Sequence, residues 1–278
     1  MKKRSFKIPN TNETPLTRET DHVLSVKNVS YEIENTKLIH DITLDIPKGS
    51  FVGIIGPNGS GKSTLLKTIY RAHQASAGCI YLNGHEMNHM TNKEIARQMA
   101  VVSQENAINF DFSVMEIMMI GRYANRSFLS KNEADDLKIC EDALSAVGML
   151  DFKNRSFLSL SGGEKQKVLI ASAFSRKPEL IVMDEPTNHL DVGYQFLILD
   201  LMKNQKDMTI FTSIHDMIMA MQYCDEIIAI KDGKVYCVST PREVLTPENL
   251  KELFHVKAEI LEIPGQMPYI RYLGASLK

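Results

Sequence analysis

Nowhere in the 278 residues is there a run approaching the roughly 18–20 apolar residues that a bilayer-crossing helix requires. The opening Met1-Lys2-Lys3-Arg4 leads into polar sequence rather than the hydrophobic stretch of a signal peptide. The expectation is a chain that stays in the cytoplasm and reaches a membrane only through something else. Cysteine is scarce: Cys79, Cys140, Cys224 and Cys237 lie far apart, none at the spacing of a zinc site or redox pair, which leaves packed or idle thiols. An excess of one charge is missing too. Lys plus Arg total 32 against 34 Asp plus Glu, a formal net charge of -2, so no basic field recommends nucleic acid or an anionic membrane surface as a partner.

What is present is enough apolar material, 44% of residues, to bury a sizeable core in one large domain or two modest ones. Residues 1–22 are polar, without apolar periodicity, and read as a flexible N-terminal tail. From Val23 onward short apolar runs alternate with helical patterns, and Phe51 to Ile55, Ala100 to Ser103, Leu180 to Met183, Met208 to Thr212 and Ile227 to Ile230 are candidate strands. That alternation predicts an α/β fold: a mainly parallel sheet with helices on both faces. Between about 106 and 158 the strand signals vanish, and Ala134, Leu137, Cys140, Leu144 and Val147 recur every three or four residues, as on one face of a helix. This block reads as a helical insertion. Residues 241–278 form an extension of mixed helix and strand signals, with a helix beginning at Pro247 and running through Leu250 and Phe254.

The most informative segment is Gly56-Pro57-Asn58-Gly59-Ser60-Gly61-Lys62-Ser63-Thr64, between the strand Phe51 to Ile55 and the helical run Leu65 to Tyr70. It is a P-loop pattern in the context that the chemistry needs. Glycines let the backbone curl so that successive amides point at phosphate oxygens, and the following helix offers a positive end. Lys62 would bridge the outer phosphates and the Ser63 hydroxyl would ligate Mg2+. A glycine turn is the plainer alternative, but the four fixed positions arise by chance in roughly one chain in a hundred of this length. A second strand, Leu180 to Met183, ends in Asp184-Glu185. Parallel strands end on one edge of a sheet, so this pair can arrive beside the P-loop. There Asp184 would hold Mg2+ and Glu185 would orient and deprotonate an attacking water. Without a P-loop nearby, two acidic residues opening a turn before Pro186 would be the better reading.

Leu160-Ser161-Gly162-Gly163-Glu164 resembles the signature motif of ATP-binding-cassette (ABC) ATPases, whose commonest fifth residue is Gln; Glu164 departs from it. Physically, Ser161, Gly162 and Gly163 cap a helix running to about Arg176 and present a second positive helix end, surplus to a single subunit that already has a P-loop. The resemblance implies the fold of that family, a P-loop NTPase sheet core with an inserted helical subdomain and a small antiparallel β part, over residues 23–240. It also implies a homodimer in which ATP lies between the P-loop of one copy and Ser161, Gly162, Gly163 and Glu164 of the other. By the same resemblance, Tyr31 stacks on adenine, Gln104 touches Mg2+ and the attacking water, Leu190-Asp191 crosses the dimer interface, and His215 holds the terminal phosphate and the water.

Phe112-Ser113-Val114-Met115-Glu116, Gly121-Arg122-Tyr123 and Val192-Gly193-Tyr194-Gln195 are similar to segments of the iron-siderophore, haem and vitamin B12 importer group. Together the P-loop, the acidic pair and the ABC resemblance give a catalytic set of Glu185, His215, Gln104 and Lys62, with ATP and Mg2+ as cofactors, while the importer resemblance implies coupling through the helical block. It further implies two membrane permease subunits as partners on the cytoplasmic face, and indirectly an extracytoplasmic substrate-binding protein. The alternatives are a non-transport cassette, of translation-factor or cluster-assembly type, or an exporter cassette. The long charged linker that joins two cassettes in the translation factors is missing here.

Overall fold

The structure is a computed structural model and describes residues 21–103, 110–123, 133–188, 190–205, 207–265 and 267–276. In chain order the elements begin with strands β1 (His22–Ile33), β2 (Thr36–Pro47) and β3 (Phe51–Ile55), followed by helix α1 (Lys62–Ile69). Next come β4 (Ala77–Leu82), β5 (His85–Glu86), α2 (Asn92–Gln98), β6 (Met99–Val102), α3 (Val114–Arg122) and α4 (Glu133–Ala146). Then follow α5 (Gly162–Ser175), β7 (Leu180–Met183), α6 (Val192–Lys203), β8 (Thr209–Ser213), α7 (Met217–Tyr223), β9 (Glu226–Lys231) and β10 (Lys234–Ser239). The chain closes with α8 (Pro241–Val244), α9 (Pro247–Phe254), β11 (Val256–Leu261) and β12 (Tyr269–Ala275).

The central sheet has the order β10-β9-β3-β8-β7-β6. All neighbours are parallel except β10, which returns antiparallel to β9. Strands β3, β7 and β8 are buried at every residue, which is why they read as continuous apolar runs. Their side chains still alternate between two cores. Phe51, Ile55, Ile181 and Met183 face one, filled by Val168 and Ile170 of α5, Ile198 and Leu199 of α6, and Leu250 and Leu253 of α9. Val52, Ile54, Leu180 and Val182 face the other.

That second face carries helix residues, as expected of both sides, and with them the small antiparallel β part that the resemblance implies. A four-stranded antiparallel sheet, β2-β1-β4-β5, roofs it, together with Leu65, Leu66 and Ile69 of α1. The physical reason is periodicity: in β2, Ile42, Leu44 and Ile46 point inward between outward polar residues, a repeat of two that only a strand satisfies. Helix α4 differs from its expected face. Cys140, Leu144 and Val147 are fully buried, but Leu137 is exposed and Ala134 lies in the solvated first turn with Glu133 and Asp135, where acidic charge suits the helix N-terminus. Of the expected tail, 1–20 lie outside the described residues, and His22 already belongs to β1. The C-terminal extension joins the first core through Leu250, Leu253, Ala258 and Ile270. Among the described residues no helix is long and apolar enough to cross a membrane.

Candidate active site

The P-loop occupies the turn from β3 into α1. A Cβ on Gly56 would land on the Ile230 carbonyl oxygen and stand 2.7 Å from Ser60 Oγ, so the curl closes only with glycine there. Gly61 takes φ +102° and caps α1 without a side-chain bond, leaving the first-turn amides of the helix free to meet an anion. Pro57, Asn58 and Gly59 form the more exposed lip, and Thr64 continues into α1. Ser60 is 3% exposed, and its Oγ is buried without a hydrogen-bond partner. Such an orphaned hydroxyl inside a phosphate-shaped turn is what a ligand oxygen would satisfy.

Lys62 is buried under this loop, its Nζ donating to the carbonyls of Gly56 (2.8 Å) and Pro57 (3.0 Å). Burial pushes the ammonium pKa down, opposed by the charges of Glu185 and Asp184. Those carboxylates arrive because β7 and β8 run parallel to β3 and end at the same edge. Ser63 Oγ donates to Asp184 Oδ1 at 3.2 Å, and Ser213 Oγ donates to the same oxygen at 2.9 Å. The Glu185 amide donates to Ser213 Oγ at 2.7 Å, so one serine on β8 locks both acidic residues. Glu185 has φ +52°, a left-handed conformation uncommon for a residue with a side chain and often found at functional turns. Its Oε1 meets His215 Nε2, and its Oε2 accepts from Asn188 Nδ2.

Lys62, Ser63, Asp184, Glu185 and His215 therefore converge. Ser161, Gly162, Gly163 and Glu164 stand apart: no hydrogen bond or ion pair joins them to the P-loop among the described residues. Ser161 caps α5 in a reciprocal box, accepting from the Glu164 amide while Glu164 Oε2 accepts from the Ser161 amide and hydroxyl, each at 2.8 Å. These two bonds hold the Glu164 carboxyl below its ordinary range. Ser161 and Gly162 are exposed. Tyr31 lies stacked on His73, ring centroids 4.7 Å apart and planes 13° apart. Leu190 is buried and Asp191 precedes α6. Gln104 lies outside the described residues.

Sequence reasoning missed Ser213 and His73. No period singles out a serine on a buried strand, and the loop carrying His73 meets β1 only through folding, with Ser76 N–H donating to Ser30 O. The residues present suit nucleotide and magnesium. Hydroxyl and carboxylate oxygens of Ser63 and Asp184 are hard donors, and among the described residues no group of three His, Cys, Asp or Glu is arranged to hold a metal ion by itself. A cation there would draw its remaining ligands from phosphate and water, the usual habit of Mg2+.

The ABC transporter family model matches residues 39–188. The chain is 36% identical over 244 residues to the iron(3+)-hydroxamate import ATP-binding protein of Bacillus subtilis, covering 87% of this chain and 91% of that one. It is 31% identical to the ferric enterobactin transport ATP-binding protein of Escherichia coli, over 81% and 84% of the two chains. Among solved structures, a metal-chelate type ABC transporter in an inward-facing conformation superposes with a TM-score of 0.75 at 26% identity, covering 91% of this chain and 98% of that one. With a family model over more than half of its length and relatives above 30% identity along most of theirs, this chain belongs to the ABC transporter family, among its ATP-binding and ATP-hydrolysing subunits.

Proposed function

We propose that this chain energises an importer for an iron complex such as a ferric siderophore, or for haem or cobalamin, and that it never touches the cargo itself. The observation that carries the reading is the convergence of Lys62, Ser63, Asp184, Glu185 and His215 at one sheet edge, in a chain similar along most of its length to ATP-binding proteins of iron-complex transport.

The triphosphate would lie on the amides of 56–64 and the N-terminus of α1, with Lys62 turning its ammonium from the loop carbonyls to the outer phosphates. Tyr31, backed by His73, would carry the base. Ser63 and Asp184, with Gln104, would hold Mg2+, which when bound neutralises charge developing on the phosphates. Glu185 takes a proton from the attacking water, and His215 holds that carboxylate in place and reaches the terminal phosphate.

Two copies would close head to tail, each presenting Ser161, Gly162, Gly163 and Glu164 to its partner's nucleotide. The exposure of Ser161 and Gly162 at a capped helix tip, unbonded to their own P-loop, supports this. In this reading residues 23–240 are the cassette, about 106–158 its helical insertion, and 241–278 an extension. On the insertion, Phe112, Met119, Ile120 and Tyr123 line an apolar groove of about 550 Å³, and Tyr123 is 72% exposed. Such a patch suits docking to a permease subunit at the cytoplasmic face. Two permeases and an extracytoplasmic binding protein would complete the importer.

The test is co-expression with the candidate permeases, followed by uptake into vesicles loaded with ATP. Accumulation of a labelled iron chelate, abolished by Lys62→Ala, is the expected result. Co-purification with ribosomes or a soluble assembly complex instead of membrane subunits would overturn the reading, and outward movement of cargo would make it an exporter.

A further inference from the structure

Lys167 is a charged residue that the mechanism above does not use, yet it is 7% exposed. A lysine this buried normally has a carboxylate partner. Its charge acts on the Glu164 carboxylate one turn back on α5, but among the described residues no close ion pair is formed, and its Nζ sits over the ring of Tyr194, 2.9 Å from the centroid. One residue earlier, Gln166 Nε2 donates to the Pro186 carbonyl at 3.2 Å. One residue after Tyr194, Gln195 Nε2 donates to the carbonyls of Thr187 (3.3 Å) and Leu190 (3.0 Å). The second turn of α5 and the first turn of α6 thus grip the segment that leaves Glu185 from two sides. The contact is desolvated on the lysine side and solvated on the ring side, since Tyr194 is 41% exposed.

The geometry points to Lys167 as a positioning residue, whose seat on the Tyr194 ring ties the serine-capped tip of α5 to the segment carrying Glu185. The inference rests on the proposed roles of Ser161 and Glu185. In the head-to-tail dimer those two residues of one chain serve different nucleotides: the tip serves the partner's ATP, and Glu185 its own. A rigid link between them lets engagement of the tip set the alignment of Glu185, so that the two sites fire together. A cation over a ring is strong when desolvated; either Lys or Arg can supply the cation and Tyr or Phe the face, but loss of the charge or of the ring removes it.

The test compares the full-length wild type with Lys167→Met, Lys167→Arg, Tyr194→Leu, Tyr194→Phe and the Lys167→Met/Tyr194→Leu double variant. Lys167→Met keeps the packed stem and removes only the charge. The expected result is a fall in kcat of about tenfold to thirtyfold for Lys167→Met and Tyr194→Leu, with the Hill coefficient for ATP dropping toward one. Affinity of the open chain for a fluorescent ATP analogue should not change, and the double variant should be no slower than the slower single. Lys167→Arg and Tyr194→Phe should restore both kcat and cooperativity, which a packing role would not require. Wild-type kcat and cooperativity in Lys167→Met, or additive losses in the double variant, would overturn the inference. Should Lys167→Met fail to fold, Tyr194→Leu, which alters an exposed ring, carries the same test. A Glu185→Gln control that hydrolyses ATP normally would sink the catalytic assignment instead. The melting temperatures of the two singles and the double would then still decide the link, since non-additivity supports it and additivity rejects it.

Discussion

Replacing Glu185 by Gln removes one proton-accepting oxygen and one negative charge while keeping the side chain's shape. The carboxylate is 13% exposed and held at both ends, Oε1 on His215 Nε2 and Oε2 on Asn188 Nδ2, and its backbone is fixed by the 2.7 Å bond to Ser213 Oγ. An amide in the same place still accepts from Asn188 or meets His215, so the loss of native stability should be about 1 kcal/mol, a fall in Tm of roughly 2 °C. Chemistry should suffer far more. A positioned general base contributes about 10²- to 10⁴-fold, equivalent to roughly 2.7–5.5 kcal/mol of barrier. Binding should survive, because the cradle is made of backbone amides and Lys62. One change does reach Lys62: it loses one of the two carboxylates that oppose the lowering of its pKa by burial. Phosphate release under saturating Mg-ATP measures turnover, and size-exclusion chromatography with and without ATP measures the closed dimer, which should accumulate. Turnover within a few-fold of wild type would refute the assignment of the base. Loss of ATP binding in a folded variant would refute the separation of binding from chemistry.

Three further outcomes are expected. Gly56→Ala should weaken ATP binding by about tenfold or more, because its Cβ meets a backbone carbonyl that cannot move aside without shifting β9; unchanged affinity in an ATP titration would contradict this. Ser161→Arg should abolish ATP-dependent dimers alone and regain part of the activity when mixed with Lys62→Ala, since one composite site then stays intact; no rescue at any ratio would count against the shared-site arrangement. Tyr223→Phe should cost about 1 kcal/mol at neutral pH and leave hydrolysis unaltered, because it removes only the 2.7 Å bond to Asp200. Burial and that bond push the Tyr223 phenol up to about 12 from 10.0, so the folded chain holds the proton more tightly than the unfolded one. Its stabilising effect is full below pH 10 and is lost as pH rises toward 12, and Tyr223→Phe should flatten the fall of Tm across that window.

Much of the site was legible because its chemistry is local. The P-loop, the acidic pair after β7 and the serine cap of α5 are each a short run in which turn, strand end or helix start follows from neighbouring residues. Strands β3 and β7 fall on the boundaries that their apolar runs predict, and α9 begins at Pro247 and ends at Phe254 as its pattern predicts. Legibility stopped where residues distant in the chain had to meet. Ser213 bridges Asp184 and Glu185 only because β8 lies between β3 and β7, an order that no periodicity encodes. Helix α4 exposes Leu137 because amphipathic spacing marks a face without saying how far along the helix its neighbours reach.

Local pattern alone fixed the pieces: a glycine-rich turn with its lysine and serine, a carboxylate pair at a strand end, and a second capped helix tip. Tertiary structure decided their company. It set Ser63 against Asp184, His215 against Glu185, His73 against Tyr31 and Lys167 against Tyr194, and it left the α5 tip outside the cluster. The division has a physical cause. Dihedral preferences and caps act over a few residues, whereas the order of strands in a sheet is settled by burying two apolar faces at once, and only that order fixes which side chains share an edge.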